Sequence, residues 1–162
     1  MKQQPLPFIK SSTAVKGFNN SLLANSENND CVVMSIASAL DVSYEISHEF
    51  VKNTFNRKNG KGTVNFVEVF NRYLIENNNE LFNSIVAPMG TNQNSLAYIV
   101  KVGNDYMLKN MTVHTFIKNN PIGTFIVVVS GHAFTIIDGI VIGNEEDSIK
   151  KKKIVYSAWE II

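Results

Sequence analysis

Asn29-Asp30-Cys31-Val32-Val33-Met34-Ser35-Ile36-Ala37-Ser38-Ala39-Leu40 is the stretch on which the fold turns. Val32, Val33, Ile36, Ala37 and Leu40 recur at helical spacing, which predicts a helix over residues 31–40. Asn29 or Asp30 supplies the N-cap. The nearest charges, Asp30 and Asp41, stand at the two ends. A helix with so little polar surface has to be covered on most sides.

Working outward, a second helix is expected over Tyr44–Phe55, capped by Ser43. The loop Asn56–Gly62 (NRKNGKG) follows it. A third helix is expected after the cap Thr63, with Val64, Val67, Phe70 and Leu74 on one face and the Asn77–Asn79 cluster as its end. The period then changes. Ser84–Ala87 and Ala97–Val102 read as short strands, and Thr112 caps a short helix through Lys118. Runs dense in Val, Ile and Phe at 123–129, 133–137, 140–142 and 154–159 read as further strands. Asp138-Gly139 marks a two-residue hairpin between two of them. Helices first and strands later give an α+β class, with the antiparallel sheet in the C-terminal half. Residues 1–28 read as an irregular segment, and 29–162 as one domain.

Composition narrows the function. The chain has 162 residues, 44% apolar and 18% charged, which suits one core. A net charge of +1 argues against binding to nucleic acid. The densest apolar run, Phe125–Val129, is far short of the ~20 residues of a membrane span. The first residues, MKQQPLPFIKSS, lack the apolar centre of a signal peptide, so a cytoplasmic location is expected. Asparagine occurs 21 times and lysine outnumbers arginine 13 to 2, usage that fits an AT-rich genome. A single cysteine excludes an intramolecular disulfide and a multi-cysteine zinc site. Cys31 is then either an inert buried thiol or a nucleophile.

A thiolate nucleophile needs a lowered pKa, exposure and a base within reach. Cys31 falls in the first turn of its helix, where unpaired N–H groups and the helix dipole favour a thiolate. Of the three histidines, His48 and His114 read as surface or half-buried polar residues. His132 differs, because it follows a strand through Ser130-Gly131 and opens the next one. If Ile137 pairs with Ile140 across the hairpin, His132 falls opposite Glu145 and beside Asn144. Asn144 is the favoured residue to orient the imidazole and Glu145 the second choice. Asp138 is six residues along the strand, roughly 20 Å away, and is a poor one. An oxyanion would be met by the Cys31 N–H and an upstream amide, with Asn25, Asn28 and Asn29 available.

Asn29-Asp30-Cys31-Val32-Val33, Val42-Ser43-Tyr44-Glu45, a basic glycine loop, Ser130-Gly131-His132-Ala133, Ile137-Asp138-Gly139 and a closing Tyr156/Trp159 strand occur in that order. Together they resemble the small papain-like (bacteriocin-peptidase-like) cysteine peptidase domains common in phage genomes. The resemblance spans residues 29–160. It implies a papain-like fold in which the nucleophile begins a central helix, and the base and its orienter sit on neighbouring antiparallel strands. It implies Cys31 as nucleophile and His132 as base, in amide hydrolysis or acyl transfer on a peptide or amide substrate, without metal or organic cofactor. Relatives often carry an acidic residue near the position of Gly143, where this chain has Gly143-Asn144-Glu145. The alternative is a catalytically silent domain that serves as a virion component or binds host proteins. A phage origin would set the protein in the host cytoplasm or in the virion.

Two further motifs carry bland readings. Asn59-Gly60-Lys61-Gly62-Thr63 lacks phosphate-loop spacing and reads as a connector bordering the cleft. Lys150–Lys153 reads as a solvated hairpin tip.

Overall fold

A computed structural model of the protein describes residues 4–88, 98–102, 105–108 and 111–162. Ala97, where one strand was expected to begin, lies outside them. The elements run β1 (Phe8–Lys10), α1 (Ser11–Ala14), α2 (Leu22–Ser26), α3 (Cys31–Leu40), α4 (Tyr44–Phe55), α5 (Phe66–Glu76), β2 (Phe82–Pro88), β3 (Tyr98–Val102), β4 (Asp105–Leu108), α6 (Val113–Asn119), β5 (Thr124–Val129), β6 (His132–Ile137), β7 (Ile140–Gly143), α7 (Glu145–Ile149) and β8 (Ser157–Ile161). The class is α+β, with helices followed by a sheet.

Helix α3 begins and ends at the expected residues. It stops because Asp41 adopts a left-handed conformation, φ 54°, and returns its N–H to Ala37 O. Helix α4 also matches, with the Ser43 side chain accepting the Ile46 N–H. Helix α5 starts at Phe66 rather than after Thr63. Asn65 has φ 53°, which a right-handed helix cannot contain, so Thr63 and Val64 stay in the preceding turn.

The described strands form one sheet in the order β1-β7-β6-β5-β8-β2-β3-β4. Its neighbours are antiparallel except β1 and β7, which run parallel with Phe8 opposite Val141 and Lys10 opposite Gly143. The expectation of a purely antiparallel sheet is corrected to a mixed one. The first 28 residues are less irregular than their sequence suggests. Residues 4–28 hold β1, two short α-helices and a 3-10 turn at Phe18–Asn20, and the Leu6 N–H donates to Ser148 O. Three residues are too few to show a period.

The β6–β7 hairpin has the expected register, Ile137 opposite Ile140, with Asp138 (φ 49°) and Gly139 (φ 78°) both left-handed as a type I′ turn requires. Alternation along β5 splits the core in two. Ile126 and Val128 face α3, α4 and α5, whereas Phe125, Val127 and Val129 face α6. Buried polar ties fix α3 between its neighbours: Thr135 Oγ1 donates to Ser35 O (2.7 Å) and Ser47 Oγ to Val33 O (2.6 Å).

Trp159 is fully buried, with ring centroids 5.4 Å from Phe66 and 4.9 Å from Phe70, and its Nε1–H donates to Asn71 Oδ1 (2.8 Å). Trp159→Ala is expected to lower unfolding free energy by about 3–5 kcal/mol in a urea titration, because the packed α5 side cannot close the void.

Candidate active site

The two ends that matter meet where α3 points at the rim of the sheet. Cys31 opens α3 and is half-buried. His132 opens β6 opposite Val129, just past the two-residue turn Ser130-Gly131, with Gly131 at φ 67°. Its imidazole stacks on Phe134, centroids 5.9 Å apart, and borders the same cleft as the Cys31 side chain, close enough for each to shift the other's titration. The backbone N–H groups of Val32 and Ala133 lie near the Cys31 sulfur and favour its thiolate. The first is one of the unpaired donors of a helix start.

His132 Nε2 donates to Asp147 Oδ2 at 3.0 Å. Asp147 sits in α7, and the same oxygen accepts the Asn144 N–H at 2.7 Å. The carboxylate is thus fixed by the helix start it helps to cap. The favoured orienter, Asn144, is corrected here. β7 ends at Gly143 and the chain turns into α7, so pairing never reaches Asn144 or Glu145. Both are exposed, and Asn144 meets Asp147 Oδ2 through its backbone N–H. Asp138 is indeed remote, accepting the Gly123 N–H at the far turn (2.9 Å). The missed residue, Asp147, had a signal: Asn144-Glu145-Glu146-Asp147 is a cap followed by an acidic first turn.

Burial pushes the Cys31 thiol up, but the His132 hydrogen bond, the Ala133 and Val32 N–H groups and the imidazolium charge together bring it below the ordinary thiol value. Burial pushes His132 down, but the hydrogen bonds and charges of Asp147 and Cys31 raise it to about 9. Each group thus favours the charged form of the other, shifting the pair toward thiolate and imidazolium relative to the separate groups.

The expected oxyanion amides divide. Asn25 donates to the carbonyls of Phe18, Asn19 and Ser21 and does not border the cleft. Asn29 does border it, with its amide given to Gly60 O (3.1 Å). His48, expected at or near the surface, is buried against Glu27 (2.7 Å), and His114 is exposed. The lysine run follows α7 and is partly tied down. Lys150 pairs with Glu146 (3.0 Å), Lys151 Nζ donates to Gln4 O (2.6 Å), and the Lys151 and Lys153 carbonyls accept the His114 and Val113 N–H groups.

A cleft extends to both sides of the pair. One arm, about 330 Å³, runs between Phe66, Val67 and Val128. The other, about 750 Å³, is more polar and passes Lys10, Ser12 and Asn29. Both arms share Cys31, Gly62, Gly131, His132 and Ala133. Among the described residues no cluster of three potential metal ligands is found, and no helix is long and apolar enough to cross a membrane. Compared with known protein families, with curated proteins and with solved structures, the chain matches none.

Gly143 is constrained by the site. A Cβ there would overlap Asp147 Oδ2 and lie 3.1 Å from Phe134 Cβ. Gly143→Ala should push Asp147 off the imidazole and lower the His132 pKa by about one unit or more, read by NMR titration of the ring protons.

Proposed function

We propose that the chain is a cysteine-dependent acyl-transfer enzyme of papain-like type, a peptidase or amidase, with Cys31 as nucleophile, His132 as base and acid, and Asp147 as the group that orients His132. One observation carries this reading: a cysteine at a helix start shares the centre of a cleft with a histidine whose Nε2 is held by a carboxylate. The order nucleophile, base and orienter along the chain, and their setting on a helix start and beside strands, agree with a papain-like arrangement and with the phage-domain resemblance. The two-armed cleft favours a polypeptide over a small amide, since a chain can lie across the pair with residues on both sides.

In this mechanism the Cys31 thiolate attacks the amide carbonyl carbon and forms a C–S bond. First-turn N–H groups of α3 meet the negative oxygen of the tetrahedral intermediate. His132 gives its proton to the leaving nitrogen as the C–N bond breaks. A water then loses a proton to His132 and attacks the thioester, the C–S bond breaks, and carboxylic acid and thiolate are released. The steps balance with water as the only co-reactant. Asp147 keeps the ring turned toward the sulfur throughout.

Two outcomes follow from the shifts. Thiolate persists at lower pH than in a free thiol, ~8.5, and the imidazolium persists up to about 9. Iodoacetamide should therefore alkylate Cys31 with a midpoint below the ordinary thiol value, and His132→Ala should return that midpoint to the thiol range. An unchanged midpoint in that variant would sink the reading. Hydrolysis of a denatured protein substrate should fall on an acid limb below the thiol value and an alkaline limb near pH 9, and Cys31→Ala should abolish it.

A further inference from the structure

The proposed chemistry leaves one buried charge cluster unused. Glu27, four residues before Cys31, has a side chain only 3% exposed, and it meets Arg57 at 1% and His48 at 7%. Glu27 Oε2 accepts from Arg57 Nη1 and from His48 Nε2, each at 2.7 Å. Glu27 Oε1 accepts the Gly60 N–H at 2.7 Å and the Asn28 N–H at 3.3 Å. Arg57 Nη2 donates to Asn28 O at 2.9 Å. Burial pushes the Glu27 carboxyl up, but Arg57, His48 and the Gly60 N–H outweigh it and hold it at about 2.

Removing these charges from water is costly, and a buried ion cluster is weak evidence for stability as such. Arg57 Nε has no protein partner, so the guanidinium is not fully compensated. What the cluster does supply is geometry. It grips the two residues that begin the approach to Cys31. The next two are held beside it, Asn29 by Gly60 O (3.1 Å) and Asp30 by the Tyr44 hydroxyl (2.7 Å). On its other side it holds the loop of Arg57 and Gly60, which leads to Gly62 on both arms of the cleft.

We propose that Glu27 is a positioning residue for the Cys31 reaction: its buried carboxylate locks the nucleophile's approach segment to the 57–62 rim of the cleft and so sets the sulfur against His132. The proposal rests on the acyl-transfer reading and adds a residue to it. The titratable groups that border the cleft with Cys31 are His132 from β6 with Asp147 behind it, Asp30 and Glu27 from its own approach segment, Lys10 from β1, Glu145 from α7 and Tyr156 just before β8.

The test turns on a sign. Loss of the Glu27 charge leaves Arg57 with less compensation, and Coulomb's law alone then lowers the Cys31 pKa. Loss of position raises it, because the His132 hydrogen bond weakens. The measurement is the pH profile of Cys31 alkylation by iodoacetamide in the full chain, with circular dichroism confirming the fold. Glu27→Ala is expected to move the midpoint up by about one pH unit, a roughly tenfold loss of thiolate at a pH well below the midpoint. Glu27→Gln, which keeps the shape and some of the hydrogen bonds, is expected to lie between Glu27→Ala and the unsubstituted protein. It decides the matter by the same sign if Glu27→Ala does not fold. A midpoint unchanged or lowered in a folded variant, with the unsubstituted protein keeping its low value, overturns the positioning role alone. An ordinary thiol midpoint in the unsubstituted protein overturns the nucleophile reading and this proposal with it.

Discussion

Helix α3 has no face it can give to water. Seven of its ten residues are buried, including both serines, whose hydroxyls turn back to carbonyls of the same helix. The rest of the molecule is arranged as its cover. Helix α4 closes one side and donates a serine hydroxyl to Val33 O; β6 closes another and donates a threonine hydroxyl to Ser35 O. Both ends stay partly open, and at the N-terminal one Cys31 meets the rim of the sheet. The cleft lies where the cover stops.

The same constraint explains what could be read in the sequence. A ten-residue apolar helix leaves a strong pattern, and α3 and α4 appear at their expected bounds. So does the turn at Asp138-Gly139, because two successive left-handed residues restrict the side chains there. The places of Cys31 and His132 could be read because each stands at the edge of an element with a clear pattern. Asp147 was not. Its position depends on β7 ending at Gly143, and an extrapolated strand pairing carried the reasoning past that point to Asn144 and Glu145. The mixed character of the sheet was hidden for a similar reason, since β1 is three residues long and pairs across 133 positions of chain.

The Glu27, His48 and Arg57 cluster shows a different limit. Its members come from three separate segments, and only His48, on the Tyr44, Val51 and Phe55 face of α4, sits in a local pattern that marks burial. Composition does hold one trace. In a chain with 13 lysines and two arginines, Arg57 is where a planar fork is used, binding a carboxylate with one nitrogen and a carbonyl with another. A lysine ammonium would bring the charge without that geometry. The site thus depends on two carboxylates of different kinds. Asp147 fixes the imidazole through a helix cap, and Glu27 fixes the backbone that leads to the sulfur.

The order of the strands also bears on how the molecule is made. β8 lies between β5 and β2, although it follows every other strand in the chain. Until residues 157–161 have left the ribosome, β2, β3 and β4 have no edge through which to join β5, β6, β7 and β1. Without β8 in place, the facing edges of β5 and β2 carry unpaired backbone. Those edges are where a chaperone, or a second nascent copy, would find the protein before its own last strand does.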